Sequence, residues 1–398
     1  MSHTKFIFSK RLENVNEYYF SKKLAQIQEM NKQGLDVINL GIGSPDLPPE
    51  SSVIQKTCEV IQENTSHGYS SYKSLLELRM SISNWVNRYY NIRINPENEI
   101  LPLLGSKEGI LYLSMALLNA GDSVLIPNPG YPAYASVANL LGVNIIYYDL
   151  KEENNWLPNL EWIEKTEFHR CKLMWINYPH MPTGALASKD FLLKLHQILI
   201  KKNIFLCNDN PYGLILNTEK PLSLLEVDPQ LLNSIELNSL SKSLNMAGWR
   251  VGFIMGHADV IEAVLKVKSN VDSGMFLPIQ YGAIKALALN EIWHSKRNEE
   301  YAKRRKIVWE IFEECKFTFS KNQVGLFVWG EISAQCLSSE WMSDAILKKC
   351  NVFLTPGFIF GSNGDRYIRA SLCASVEKLT NALNRIKKLN DEGHGDKS

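Results

Sequence analysis

Between residues 100 and 256, short apolar runs alternate with amphipathic stretches. Residues 123–127, 143–150, 172–177, 204–209, 234–237 and 252–255 are rich in Ile, Val, Leu and aromatic side chains and predict buried strands. Residues 107–118 and 189–201 carry their apolar positions at helical spacing. Strand and helix in alternation predict an α/β architecture, a mostly parallel sheet covered by helices on both faces. In such a sheet ligands sit at the carboxyl ends of the strands, and here the polar clusters follow the strands. Residues 278–315 predict one or two long helices with a charged middle at 294–306. Residues 317–389 mix short strands with helices and predict a second, smaller domain, joined by the N-terminal segment up to about residue 44. The polar tail, residues 390–398, reads as disordered.

A length of 398 residues suits two domains of ordinary size. The net charge of +1 carries no footprint of a nucleic-acid or polyanion partner. Cys58, Cys171, Cys207, Cys315, Cys336, Cys350 and Cys373 form no C-x-x-C pair, which points to reduced thiols in a cytoplasm and away from a disulfide framework or zinc site. Residues 1–23 are charged throughout and lack the apolar stretch of a signal peptide, and Asn, Gly, Asp or Pro break the most apolar windows below membrane-span length. A soluble cytoplasmic protein is expected, with no metal site.

The chemistry concentrates in six segments. In Ser239-Leu-Ser-Lys-Ser-Leu-Asn-Met-Ala-Gly-Trp-Arg250, Lys242 stands between two hydroxyls. A lysine here can form a Schiff base with a carbonyl cofactor while Ser239, Ser241 and Arg250 hold its phosphate; a polar loop leading into a strand has the same composition. Gly105-Ser-Lys-Glu-Gly109 precedes a helix, so its free N–H groups and the helix dipole favour a phosphate, or simply form an N-cap. In Pro127-Asn-Pro-Gly-Tyr131-Pro-Ala-Tyr134, an aromatic ring can stack on a planar ligand or pack on the core. Asn177-Tyr-Pro-His-Met-Pro182-Thr-Gly184 makes a rigid rim, with X-Pro bonds that can be cis, or only a sharp exit loop.

Asp209 ends an apolar strand, where a carboxylate is costly to bury unless a cation such as a protonated pyridine nitrogen meets it. Tyr212 can then donate to a phenolate oxygen of that ring; an exposed turn-forming Asp is the alternative. Arg366-Tyr-Ile-Arg369 lies in an apolar strand, and Arg369 suits a carboxylate, whether from a substrate or an internal salt bridge.

The order and spacing of these segments resemble the class I/II aminotransferases, fold-type I pyridoxal-phosphate enzymes related to aspartate aminotransferase. The likeness runs from about Val37 to Ala382, and G-S-K-E-G-I and P-N-P-G-Y-P-A-Y look most like the LL-diaminopimelate aminotransferase branch. The resemblance implies a large domain (45–284) with a mostly parallel seven-stranded sheet covered by helices. It also implies a smaller α+β domain (1–44 and 285–398). Lys242 would be the Schiff-base lysine and proton shuttle, Asp209 the partner of the pyridinium nitrogen, and Tyr212 the contact to the ring oxygen. Tyr131 would stack on the ring, and Ser239, Arg250 and the backbone at Ser106 and Lys107 would hold the phosphate of pyridoxal 5′-phosphate. Tyr69 matches the tyrosine that reaches the neighbouring subunit's phosphate, so a homodimer is expected. Arg369 would grip the substrate α-carboxylate, with the Gly43 backbone close by.

In the family, Asn usually precedes Pro-Thr-Gly and donates to the ring oxygen; here that residue is Met181, whose sulfur is only a weak acceptor. An unusual pH profile of absorbance is expected from the missing donor, and Asn177 is a candidate to substitute. Ser74 stands where a glycine is common. The implied reaction moves an amino group from an L-amino acid to a 2-oxo acid, 2-oxoglutarate above all, with ping-pong kinetics. Diaminopimelate, aspartate and a broader donor set stay open, since Lys107 can read a second carboxylate or be simply solvated, and residues 268–273 offer no arginine. A carbon–sulfur lyase of the same fold, or a binding or regulatory relative that lost catalysis, are the alternatives.

Overall fold

The apolar runs form strands close to their expected bounds. The computed structural model describes residues 6, 8–12 and 19–395, so most of the charged stretch before residue 19 lies outside the described residues. After a short 3-10 turn at Lys10–Leu12 come helix α1 (Tyr19–Lys32), strand β1 (Ile38–Asn39), and helices α2 (Ser51–Ile61) and α3 (Leu76–Tyr90). Then come β2 (Ile100–Leu103), α4 (Ser106–Leu117), β3 (Ser123–Asn128), α5 (Pro132–Leu141), β4 (Asn144–Asp149) and α6 (Leu160–Lys165). β5 (Cys171–Ile176), α7 (Lys189–Lys201), β6 (Phe205–Asp209), β7 (Ser234–Ser239), the short α8 (Leu240–Ser243) and β8 (Gly252–Met255) follow. Helices α9 (Ala258–Lys268), α10 (Leu277–Leu287) and α11 (Glu291–Glu314) lead to β9 (Thr318–Phe319) and β10 (Phe327–Glu331). The remainder is α12 (Ser339–Cys350), β11 (Val352–Phe353), β12 (Thr355–Pro356), β13 (Tyr367–Ser371) and α13 (Val376–Gly395).

Seven strands make one sheet in the order β2-β8-β7-β6-β5-β3-β4. β8 runs against both its neighbours, and the remaining pairs are parallel. Strands covered on both faces are apolar throughout, and every residue of β3, β7 and β8 is buried. Adjacent residues of one strand serve opposite faces. Val124 joins Ile110, Val137 and Val264 of α4, α5 and α9, whereas Leu125 joins Leu192, Leu195 and Leu199 of α7. Edge strand β4 leaves Asn144, Tyr147 and Asp149 exposed.

The mixture expected over residues 317–389 is found as an antiparallel sheet, β12-β13-β10-β9. Val308, Ile311 and Phe312 of α11 and Leu379, Leu383 and Ile386 of α13 belong to the same core as Val328 and Ile368 of this sheet. β1 pairs in parallel with β11. The tail expected to be disordered from residue 390 instead continues α13 to Gly395, and residues 396–398 lie outside the described residues. Once an amphipathic helix is docked, each added residue gains a hydrogen bond without repeating the nucleation cost. Among the described residues no helix is long and apolar enough to cross a membrane, and no group of three or more His, Cys, Asp or Glu is placed to hold a metal ion.

Candidate active site

Register brings the polar clusters together. Ser239, the last residue of β7, lies opposite Gly252, the first of antiparallel β8, and Gly252 lies opposite Leu103, the last of β2. The single reversed strand therefore delivers Arg250 to the edge where the parallel strands end. A cavity of about 420 Å³ opens there, and Asp209, Tyr212, Lys242, Arg250 and Arg369 all line it. Tyr131, Asn177, Ser106, Lys107, Ser239, Ser241 and Gly43 complete the expected set. Tyr69 is the exception: it is 94% exposed and does not line this cavity within one chain.

Asp209 is buried, and its Oδ2 accepts from the Tyr134 hydroxyl at 3.0 Å. Burial pushes its carboxyl up to about 7, an effect the Tyr134 bond partly offsets. Its Oδ1 has no hydrogen-bond partner. A buried carboxylate oxygen facing a cavity without a donor is costly, and the cost vanishes when a cationic N–H meets it. Tyr134 itself was invisible in the sequence as a functional group. Its ring stacks on Trp175 with centroids 5.0 Å apart, so it reads as an ordinary core aromatic. Its position three residues after Tyr131, on the first turn of α5, is the only signal that could have found it.

Lys242 sits on α8 directly after β7, and its Nζ donates to the Gly43 carbonyl. Burial lowers its pKa, and the charges of Arg369 and Arg250 act in the same direction against the Cys373 thiol. The amine is thereby shifted toward its neutral, nucleophilic form. Tyr212 is buried, edge-on to Phe327, and burial raises its phenol above the ordinary range. Ser239 caps α8, accepting from Ser241 N at 3.1 Å and donating to the Val251 carbonyl at 3.3 Å.

At the other end of the cavity, Gly105 has φ +94°, and a Cβ there would collide with the Arg250 guanidinium. A Cβ on Gly252 would come within 2.6 Å of Ser106 N. Backbone N–H groups at the start of α4, a capped α8 and an arginine laid against a glycine form an anion cradle. Together with the unpartnered Asp209 oxygen, these residues fit a phosphorylated, nitrogen-containing ring with a carbonyl that Lys242 can attack.

Arg369 is buried on β13, opposite Trp329 of β10 and Thr355 of β12. Its guanidinium lies over the rings of Phe327 (3.9 Å) and Phe360 (4.6 Å), and its Nη2 donates to the Gly41 carbonyl at 2.8 Å. Its Nη1 meets the Met181 sulfur at 3.2 Å, so the residue that departs from the family pattern touches the expected carboxylate anchor directly. A Cβ on Gly43 would run into the Phe327 ring, so glycine is what lets this backbone approach.

Asn177 lies at the cavity wall, but main-chain groups engage both ends of its amide. Its Nδ2 donates to the Asp209 carbonyl, and its Oδ1 accepts from Met181 N at 2.8 Å. These bonds leave its second Nδ2 hydrogen as the one side-chain donor for a ligand, beside one Oδ1 lone pair. The Asn128-Pro129, Tyr178-Pro179 and Met181-Pro182 bonds are cis. Lys107 is exposed on the first turn of α4. In the 268–273 segment, Lys268 is buried and held by both oxygens of Asp272 at 2.6 Å. Ser74 adopts φ 63°, the left-handed region, which explains why a glycine suits that position.

The profile described as "Aminotransferase class I and II" matches residues 35–386. LL-diaminopimelate aminotransferase from Halothermothrix orenii is 37% identical over 378 residues, covering 95% of this chain and 97% of the relative. The enzyme of that name from Aquifex aeolicus is 36% identical, covering 96% and 99%. The apo structure of BacF from Bacillus subtilis superposes with a TM-score of 0.93 at 35% identity, covering 97% of this chain and 99% of that one. The chain belongs to the class I and II aminotransferases, a family that depends on pyridoxal phosphate. It is an enzyme of the transaminase type, with the seven-stranded α/β sheet that the family shares.

Proposed function

We propose that this chain binds pyridoxal 5′-phosphate through Lys242 and moves an amino group from an L-amino acid to a 2-oxo acid, with 2-oxoglutarate as the acceptor. The observation that carries the reading is the buried, donor-less Oδ1 of Asp209 in the cavity that also receives the depressed amine of Lys242. Ser106, Lys107, Ser239 and Arg250 hold the phosphate, Tyr131 covers the ring and Tyr212 meets its oxygen. When bound, the cofactor supplies an electron sink for the carbanion at the substrate Cα. Asp209, ionised on meeting a cationic N–H, would hold the ring nitrogen protonated. Lys242 would tether the cofactor and, with its amine free, would take up and pass on the proton of the substrate Cα.

Arg369 anchors the substrate α-carboxylate, a bidentate charge-assisted contact contributing about 1.5–3 kcal/mol. The chain works as a homodimer in which Tyr69 reaches the partner's phosphate, and its 94% exposure supports that reach. The segment 45–284 forms the cofactor-binding domain, and 1–44 with 285–398 the smaller one. The free cysteines support a cytoplasmic setting. The relatives' names make LL-diaminopimelate the first donor to test.

A turnover screen decides between this reading and a lyase. The loaded enzyme is mixed with LL-diaminopimelate, aspartate and a panel of other amino acids plus 2-oxoglutarate. Glutamate formation is expected, and pyruvate with ammonia released from cystathionine, without glutamate, contradicts the reading.

A further inference from the structure

Helix α11 carries two arginines with buried side chains, Arg297 and Arg304. Arg304 meets Asp46 at 2.6 Å and Glu300 at 3.0 Å. Among the described residues Arg297 meets no carboxylate; its titratable neighbours are the phenols of Tyr301 and Tyr89 and the neutral ring of His294. Taking a guanidinium out of water without an acid is costly, so the groups it does hold are the clue to its use.

Nη1 of Arg297 donates to the main-chain carbonyl of Ser243, and Nη2 donates to that of Leu214. The next residue, Asn298, donates to the same Leu214 carbonyl at 3.2 Å, and its Oδ1 accepts from Leu216 N at 3.2 Å and from Arg297 at 3.0 Å. The two gripped carbonyls belong to different strand-end segments. Ser243 directly follows Lys242, and Leu214 lies two residues beyond Tyr212.

We propose that Arg297, seconded by Asn298, is a positioning residue that fixes the segments bearing Lys242 and Tyr212 relative to one another. One planar fork holds two carbonyls from separate chain segments at a set spacing, which a lysine ammonium on a flexible stem does not do. The ends of β6 and β7 are thereby tied to α11, the helix that runs on toward the second sheet. The inference rests on the amino-transfer reading above.

Full-length R297K, R297M and N298A are loaded with pyridoxal phosphate and compared with the wild type. Expected for R297K is a native far-ultraviolet spectrum, a kcat for amino transfer lowered about 10- to 100-fold, and a donor KM near the wild-type value. The visible circular dichroism band of the lysine-bound cofactor, which reports its orientation, changes as well. N298A moves both readouts in the same direction by less. A variant that melts earlier yet keeps wild-type kcat and band per folded site overturns the proposal, because a merely structural arginine behaves that way. If R297K and R297M do not fold, N298A decides, and unchanged kcat and band in that variant overturn it. A wild type that shows no visible band with pyridoxal phosphate sinks the underlying reading instead, and the inference with it.

Discussion

Asp209 carries most of the site's chemical meaning, and its titration can be read without cofactor. Its carboxyl rises from an ordinary 3.8 to about 7 because it is buried. The folded state therefore holds the proton more tightly than the unfolded chain. The associated stability is fully present below pH 3.8 and is lost as pH rises through about 7, on the order of 4 kcal/mol in all. Glu236, raised to about 7 by burial, adds a slope of the same sign. His180 and His294, both held down to about 3 by burial, contribute slopes of the opposite sign, so Asp209 is read by difference: the urea stability of cofactor-free wild type relative to Asp209→Asn is expected to be greater at about pH 5 than at about pH 8. An equal slope in the variant contradicts the assignment.

Met181 gives a second prediction. Met181→Asn adds a donor near the ring oxygen, which favours the deprotonated form of the lysine-bound chromophore. Its spectrophotometric titration is expected to move to lower pH by about one unit. Coincident curves for wild type and variant contradict the idea. Lys242, Asp209, Tyr212, Arg250 and Arg369 were legible in the sequence because each places costly chemistry beside an apolar strand. Tyr134 and Arg297 were not, since an aromatic on a helix and an arginine in a charged run look like core and solvent-facing residues.

Elements aim these residues. The reversed strand β8 is why Arg250, just before its strand, and Ser239, the last residue of its own, meet at one edge. Alternating apolar runs revealed the strands, but strand order and the direction of β8 depend on pairings far apart in sequence, which periodicity does not encode. The turn into α4 is the most sensitive joint, because Gly105 combines a positive φ with the Arg250 guanidinium against its Cα. Gly105→Ala costs about 1–3 kcal/mol in backbone strain alone and displaces Arg250. Affinity for pyridoxal phosphate, measured by absorbance titration, is expected to fall roughly 10-fold or more. An unchanged affinity would remove the cradle from the account. The end of α13 shows the opposite error: polar composition suggested disorder from residue 390, where the helix continues to Gly395.

At the scale of the whole molecule, the isolated chain leaves Tyr69 far from use. Its ring is 94% exposed and does not line the cavity, as the proposed homodimer with shared sites expects. Complementation tests this directly. Lys242→Ala protomers lack the amine, and Tyr69→Ala protomers lack the reaching phenol. In a mixed dimer, one site receives both intact residues. Mixing the two variants is expected to yield activity above the sum of the separate preparations, tracking the heterodimer fraction seen by native mass spectrometry. Strictly additive activities contradict a shared site.

The proposed bond between Lys242 and pyridoxal phosphate is open to direct test. Protein incubated with pyridoxal phosphate, reduced with borohydride, digested and mapped by mass spectrometry is predicted to carry the cofactor on the peptide containing Lys242, and Lys242→Ala to lose it. Label on another lysine, or none at position 242, contradicts the account.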